Sequence, residues 1–114
     1  MEIQERINAY WSKRADEFGD ARYTDMQSKK REDWSKLIAQ HLPERRPIRA
    51  LDLGTGAGFF SFVMRDLGCQ VTGIDYSEEM LKNARRNAKR LGYDDMTFLQ
   101  MDAQDLQFED ESFD

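Results

Sequence analysis

The segment Asp52-Leu53-Gly54-Thr55-Gly56-Ala57-Gly58 sets glycines at alternate positions directly after a short apolar run, and an acidic residue, Asp75, closes the next such run. Glycines at a strand-to-helix bend let the backbone turn sharply and let a ligand approach with no Cβ in the way. A carboxylate about 20 residues further on can accept both hydroxyl protons of a ribose. Together these features describe a seat for a nucleoside. A dinucleotide enzyme spaces its glycines as G-x-G-x-x-G, which would need glycine where Phe59 stands; here the third glycine is Gly58, and that spacing argues against NAD. An α/β domain whose glycine bend holds no ligand is the plainer alternative. Nothing in the chain suggests a protein nucleophile: it has no G-x-S-x-G elbow, no cysteine-histidine pattern and no Walker-type lysine after its glycines. No catalytic residue is assigned, and with one histidine (His41) and one cysteine (Cys69) no metal site is expected.

The elements that must position this bend follow from local pattern. Ile48 to Leu53 is short and mostly apolar, as a buried parallel strand is, and leads straight into the glycines. From Ala57 to Leu67 the apolar spacing is helical, with Gly68 where a left-handed cap residue is wanted. Gln70 to Ile74 reads as a second strand closed by Asp75. Ser77 then caps a helix with Glu78 and Glu79 in its first turn and Arg85, Arg86, Lys89 and Arg90 later, an order that suits the helix dipole; Gly92 ends it. Met96 to Met101 reads as a third strand running into Asp102, and the acidic stretch from Ala103 to Asp114 as a loop. Strand, helix, strand, helix, strand implies parallel pairing through right-handed crossovers. Upstream, Pro43-Glu44-Arg45-Arg46-Pro47 marks a loop. Thr24 to Leu42 reads as a helix opened by a Thr24/Gln27 capping box, with Trp34, Leu37, Ile38, His41 and Leu42 as a stripe for a sheet to receive.

The 114 residues suit one domain, and 22 acidic against 17 basic side chains give a net charge of −5. That balance disfavours nucleic acid and anionic membrane surfaces as partners. The charged start of the chain and the brevity of its apolar runs point to a cytoplasmic protein, neither exported nor membrane-bound. The basic run from Lys82 to Arg90 reads as a solvated helix face, the Phe59, Phe60, Phe62 group as core, Cys69 as a small apolar residue at a strand start, and His41 as structural.

Leu51-Asp52-Leu53-Gly54-Thr55-Gly56-Ala57-Gly58 resembles the first motif of the Rossmann-like S-adenosylmethionine-dependent methyltransferases. Ile74-Asp75-Tyr76-Ser77 with Met80-Leu81 resembles the second, and Asp102-Ala103 the third. Tyr10-Trp11-Ser12-Lys13-Arg14-Ala15-Asp16-Glu17-Phe18 is similar to the N-terminal segment of the small-molecule members. The resemblance implies an α/β fold: a three-layer Rossmann-like parallel sheet, here cut after its third strand and preceded by N-terminal helices. It divides a single domain into a helical lid segment, 1–43, and a βαβαβ core, 48–114.

The same resemblance implies that Gly54, Thr55, Gly56 and Gly58 face the methionine part of S-adenosylmethionine, with Asp52 near its amino group. Asp75 would hold the ribose hydroxyls, Tyr76 and Met80 flank the adenine, and Asp102 with the Ala103 backbone meet its polar edge. Tyr10 and Phe18 would form a lid, although Tyr10-Trp11 reads equally well as an amphipathic-helix anchor. The implied reaction passes the sulfonium methyl to an O, N or C acceptor on a small molecule and leaves S-adenosylhomocysteine. Alternatives are a non-catalytic nucleoside-binding or regulatory module, or a methyltransferase acting on RNA or protein. In the family Phe-Asp opens a fourth strand beside the first, and here Phe113-Asp114 is the last pair. The expectation is therefore a chain that owns one wall of its site, does not turn over alone, and self-associates through the open edge of its first strand.

Overall fold

The computed structural model describes residues 3–44, 47–108 and 112–114. The side chains of Asn8, Trp11 and Ser12 also lie outside the description, so the reading of Trp11 as lid or anchor falls outside it, as does that of the loop at Arg45-Arg46. In chain order the elements are α1 (Ile3–Met26), α2 (Lys29–Ala39), β1 (Ile48–Leu53), α3 (Phe59–Asp66), β2 (Cys69–Asp75), α4 (Glu78–Arg90) and β3 (Thr97–Gln100). The strands form one parallel sheet in the order β1-β2-β3.

Register decides where the chemistry gathers. Leu53 lies beside Ile74 and Asp75 beside Gln100, so all three strands finish at the same end and their following loops meet there. Such a gathering of loops at the carboxyl ends of parallel strands is where open α/β sheets bind ligands. One face of the sheet carries α3 and α4, and the core between them is Phe62, Val63, Leu81, Ala84, Ala88 and Phe98, joined by Met26 from α1. A smaller cluster, Ile48, Cys69 and Val71, fills the other end beneath Leu42 and Met64. Cys69 is thus the small buried side chain its context suggested. Phe59 and Phe62 are core, whereas Phe60 is 40% exposed and meets Trp34 edge-on, with ring centroids 5.0 Å apart.

Local signals account for the helix ends. Ser77 Oγ accepts from the Met80 amide at the start of α4, whose first turn is acidic and last turn basic. The basic face of α4 is bound to the protein itself: Arg85 pairs with Glu78, while Arg86 and Arg90 both reach Asp20 on α1. Asn87, fully buried, donates to the Gly19 carbonyl of α1 and to the Ala57 carbonyl of the glycine bend, so α1 is fastened to the bend as well as to α4.

The upstream helix differs from expectation. Thr24 opens nothing, because α1 continues through it to Met26, leaving its amide inside a helical ladder where a capping box has no spare donor to satisfy. Ser28 is the N-cap of α2, accepting from the Lys30 amide at 3.2 Å and donating to the Asp25 carbonyl at 2.8 Å, and the Gln27 side chain turns to the Tyr23 hydroxyl. The stripe meets the sheet at its end, where Leu42 packs against Ile48, Cys69 and Val71. The helix face of the sheet is already occupied by α3 and α4, so α2 packs on α1 and α3, Trp34 and Leu37 stay 40% and 47% exposed, and His41 is exposed.

The open edge of β1 is also partly closed. The Asp114 amide donates to the Arg49 carbonyl at 2.7 Å, its carboxylate accepts from the Arg49 amide at 2.7 Å, and the two side chains pair. The last residue therefore satisfies the edge at Arg49 in the way a neighbouring strand would.

Candidate functional site

Three glycines turn the chain between β1 and α3, and Gly54, Gly56 and Gly58 all adopt left-handed φ values of 68°, 56° and 99°. Other residues adopt that region only with strain. Gly58 has a second reason to lack a side chain, since a Cβ there would stand 2.6 Å from the Phe62 ring. Gly54 has open space where its Cβ would be, so the bend presents bare backbone outward.

Asp75 holds this bend in place. Its Oδ2 accepts from the Gly56 amide at 2.9 Å and its Oδ1 from the Ser77 amide at 2.9 Å, so one carboxylate at the tip of β2 ties the glycine bend to the cap of α4. The Thr55 amide adds a 2.8 Å bond to the Ile74 carbonyl. Each carboxylate oxygen keeps acceptor capacity beyond these single bonds.

In front of the bend lies a cleft of about 450 Å³, lined by Gly54, Asp75, Tyr76, Met101, Asp102 and Ala103, with Ile74 and Gln104 completing it. Tyr76 is 76% exposed and is one of the residues that line that space. Asp102 holds a turn just after β3: its Oδ1 accepts from the Gln104 amide at 2.8 Å and its carbonyl from the Asp105 amide.

Five of the residues named from sequence thus meet in one cleft, namely Gly54, Asp75, Tyr76, Asp102 and Ala103. Gly56, Met80 and Phe18 meet beside it: a Cβ on Gly56 would be 3.4 Å from both Met80 Cε and Phe18 Cε1. Phe18 therefore does reach the bend from α1, with the Arg22 guanidinium 4.7 Å from its ring centre. Tyr10 does not line the cleft; it sits two helical turns away, 55% exposed, with Arg14 over its ring.

Asp52 and Thr55 lie behind the bend. Asp52 Oδ2 accepts from Ser61 Oγ at 2.8 Å, and Ser61 Oγ is 2.9 Å from Thr55 Oγ1. Burial pushes the Asp52 carboxyl up from its usual range, and the hydrogen bonds from Ser61 and Thr55 oppose that shift, while the Asp75 charge adds to it. Ser61 went unnamed in the sequence reading. Its signal was present as the one hydroxyl in the apolar run Phe59 to Met64. Gly73 escaped too, and it matters by close approach, because a Cβ there would come within 2.8 Å of Thr55 Oγ1 and 2.9 Å of the Phe98 ring.

Residues 45–114, more than half of the chain, match the family model described as a methyltransferase domain. The chain belongs to that methyltransferase family. Among curated relatives of this methyltransferase domain is the demethylmenaquinone methyltransferase of Thermus thermophilus, 36% identical over 83 residues that cover 71% of this chain and 37% of that protein. Another is the phosphatidylethanolamine N-methyltransferase of Cereibacter sphaeroides, 43% identical over 58% of this chain and 32% of that protein. A solved SAM-dependent methyltransferase from Methanosarcina mazei superposes with a TM-score of 0.60 at 32% identity, over 68% of this chain and 38% of that one. The chain thus spans about a third of the length of these proteins. Its three parallel strands with flanking helices are the Rossmann-like arrangement that its structural relatives share. Among the described residues no helix is long and apolar enough to cross a membrane, and no group of three or more His, Cys, Asp or Glu side chains is placed to hold a metal.

Proposed function

We propose that this chain forms the cofactor-holding part of an S-adenosylmethionine-dependent methyltransferase whose acceptor is a small molecule. The observation that carries the reading is the Asp75 carboxylate turned toward the glycine bend, at the edge of a cleft with room for a nucleoside. The residues fit the cofactor by their chemistry. Bare backbone at Gly54 leaves a cradle that a Cβ would fill. The carboxylate of Asp75 can accept from ribose hydroxyls, Tyr76 offers an aromatic face to a flat base, and Asp102 with the Ala103 backbone supplies polar groups for the base edge. Met80, Gly56 and Gly58 would border the same ligand, and Asp52 would meet its ammonium group from behind the bend with Thr55 beside it. Phe18 would close the α1 side, with Tyr10 further out along the same helix.

When bound, the cofactor supplies a sulfonium methyl already activated for transfer. The protein's share is therefore alignment and exclusion of water, and no protein nucleophile is required. The bond between Asp75 and Gly56 fixes the bend in advance, which lowers the ordering cost of binding. Small-molecule acceptors are favoured by the relatives that act on demethylmenaquinone and phosphatidylethanolamine, and by the acidic character of the chain.

The test is calorimetry on the complete gene product with S-adenosylmethionine, S-adenosylhomocysteine and NAD. Binding of the first two with NAD excluded is the expected result, and preference for NAD would refute the proposal. Methyl release to a panel of small-molecule, RNA and protein acceptors then separates an enzyme from a nucleoside-binding module and assigns the acceptor class.

A further inference from the structure

We infer that Ser61 is a positioning residue, which together with Thr55 fixes the Asp52 carboxylate behind the glycine bend so that it can meet a cationic ligand group. The inference rests on the proposed reading of the site and adds to it Ser61, which lies outside the quoted motif, and a positioning role for its hydroxyl.

Ser61 stands in the most apolar stretch of the chain, flanked in α3 by Phe59, Phe62 and Val63, all buried, and is itself fully buried. A hydroxyl at such a position costs free energy unless it is bonded. The usual resort of a buried helical serine is the carbonyl four residues back. That carbonyl belongs to Ala57 and accepts from Asn87 instead. Ser61 turns its Oγ to Asp52 Oδ2 at 2.8 Å, across from α3 to the end of β1. A serine hydroxyl has one proton. With that proton given to Asp52, Ser61 Oγ accepts at its 2.9 Å contact with Thr55, whose own single proton is shared between Ser61 and the carboxylate, so two hydroxyls and Asp52 form one hydrogen-bonded group. Each link polarises the next toward the negative end.

The packing around this group is built for it. Thr55 is buried, and the space its hydroxyl needs is left by Gly73, whose Cβ would lie 2.8 Å from Thr55 Oγ1. Four segments (β1, the bend, α3 and β2) therefore converge on one carboxylate. A purely structural position in this core would be filled at least as well by alanine. Asp75 on β2 is the titratable group that acts on Asp52 among the described residues; on the α3 side it meets Ser61, and the neighbouring β3 side chain, Phe98, is uncharged. Asp52 thus has a repulsive neighbour and a desolvating environment on one hand and two hydroxyls on the other. Removing the hydroxyls tips the carboxyl toward its protonated form, in which it no longer attracts a cation.

Two measurements test this. In the first, the Asp52 carboxyl is titrated by carbon NMR on the ligand-free gene product as wild type, Ser61→Ala, Thr55→Val and Thr55→Ser. The midpoint is expected to rise in Ser61→Ala and Thr55→Val and to return toward the wild-type value in Thr55→Ser, which keeps the hydroxyl. In the second, S-adenosylmethionine affinity is measured from below that midpoint up to pH 8. Ser61→Ala is expected to bind about tenfold more weakly one pH unit below its own NMR midpoint than on its alkaline plateau, because the carboxyl is then mostly protonated, and to approach wild type as pH rises. Unchanged midpoints overturn the inference whatever the cofactor turns out to be. A loss of affinity equal at every pH also overturns it, since that is the mark of a structural defect. If Ser61→Ala fails to fold, the near-isosteric Thr55→Val carries the same comparison. Shifted midpoints in a wild-type protein that does not bind S-adenosylmethionine would refute the site reading while leaving the hydrogen-bonded group intact.

Discussion

The Asp75 carboxylate lies 2.9 Å from the Gly56 amide, so the acidic residue ending β2 fastens the bend that follows β1. Two segments separated in sequence are joined by a charge-assisted bond at the carboxyl edge of the sheet. The same carboxylate serves the first turn of α4 through Ser77. Loss of its charge should therefore be felt in the loop and in the ligand together.

Asp75→Asn puts an amide where both oxygens now accept from backbone amides. One of those amides must then face an NH₂ group. With bonds to charged groups contributing about 1.5–3 kcal/mol, S-adenosylmethionine affinity is expected to fall about tenfold to a hundredfold. Hydrogen exchange at Gly56 and Ser77 should accelerate in the same variant. Titration calorimetry and exchange mass spectrometry check the two effects, and unchanged affinity would remove Asp75 from the site.

Gly58→Ala combines a left-handed φ of 99° with a Cβ only 2.6 Å from the Phe62 ring. Strain and overpacking each cost about 1–3 kcal/mol, and Phe62 cannot retreat because it is fully buried. A stability loss of about 2–4 kcal/mol is expected in urea unfolding. Gly68→Ala, whose Cβ would meet nothing within 4 Å, carries only the backbone strain and should lose less.

The buried Asp52 carboxylate opposes stability in its charged form. Its carboxyl is raised above the ordinary 3.8, mainly by burial. The folded state then retains a proton that the unfolded chain has lost, so stability falls as pH rises from about 3.8 through the folded value, and the full cost is present above it. Asp52→Asn is expected to raise the urea midpoint at pH 7 while weakening S-adenosylmethionine binding. The gain in stability should shrink as pH is lowered toward 3.8. A variant less stable than wild type at pH 7 would contradict this.

Tyr93 is shifted in the same direction, in the alkaline range. Its hydroxyl donates to both oxygens of Asp66, at 2.8 and 2.9 Å, and burial with that bond raises it from 10.0 to about 12. The unfolded chain loses the proton first, so this contribution is fully present below pH 10 and lost as pH rises to about 12. Tyr93→Phe should cost about 1 kcal/mol near neutrality and show a flatter decline in thermal stability across that alkaline range. Because Asp66 also pairs with Arg31, the variant should loosen α2 from α3, which exchange at Trp34 and its neighbours would report.

Most of the core was legible in the sequence because its signals are local. The run Ile48 to Leu53 becomes β1 residue for residue, Ser77 caps α4, and Gly68 and Gly92 take positive φ at the helix ends. A strand's apolar run, a cap's side-chain oxygen and a glycine's freedom each act over a few residues, so their consequences can be read in order along the chain. The glycine bend and Asp75 are likewise a local motif plus one spacing, and they meet as that spacing requires.

Only the tertiary structure decided the rest. Thr24 and Ser28 are both acceptable cap residues, and the choice fell to Ser28 once Met26 was buried in the core and α1 had to run on to deliver it. α2 found the sheet face occupied and settled on α1 and α3. The partnership of Ser61, Thr55 and Asp52 needed β1, the bend and α3 brought within hydrogen-bond reach, with Gly73 leaving the space. Local propensity fixes what each segment can become. Which polar atoms end up desolvated together, and so must satisfy one another, depends on three-dimensional packing that no short window of sequence contains.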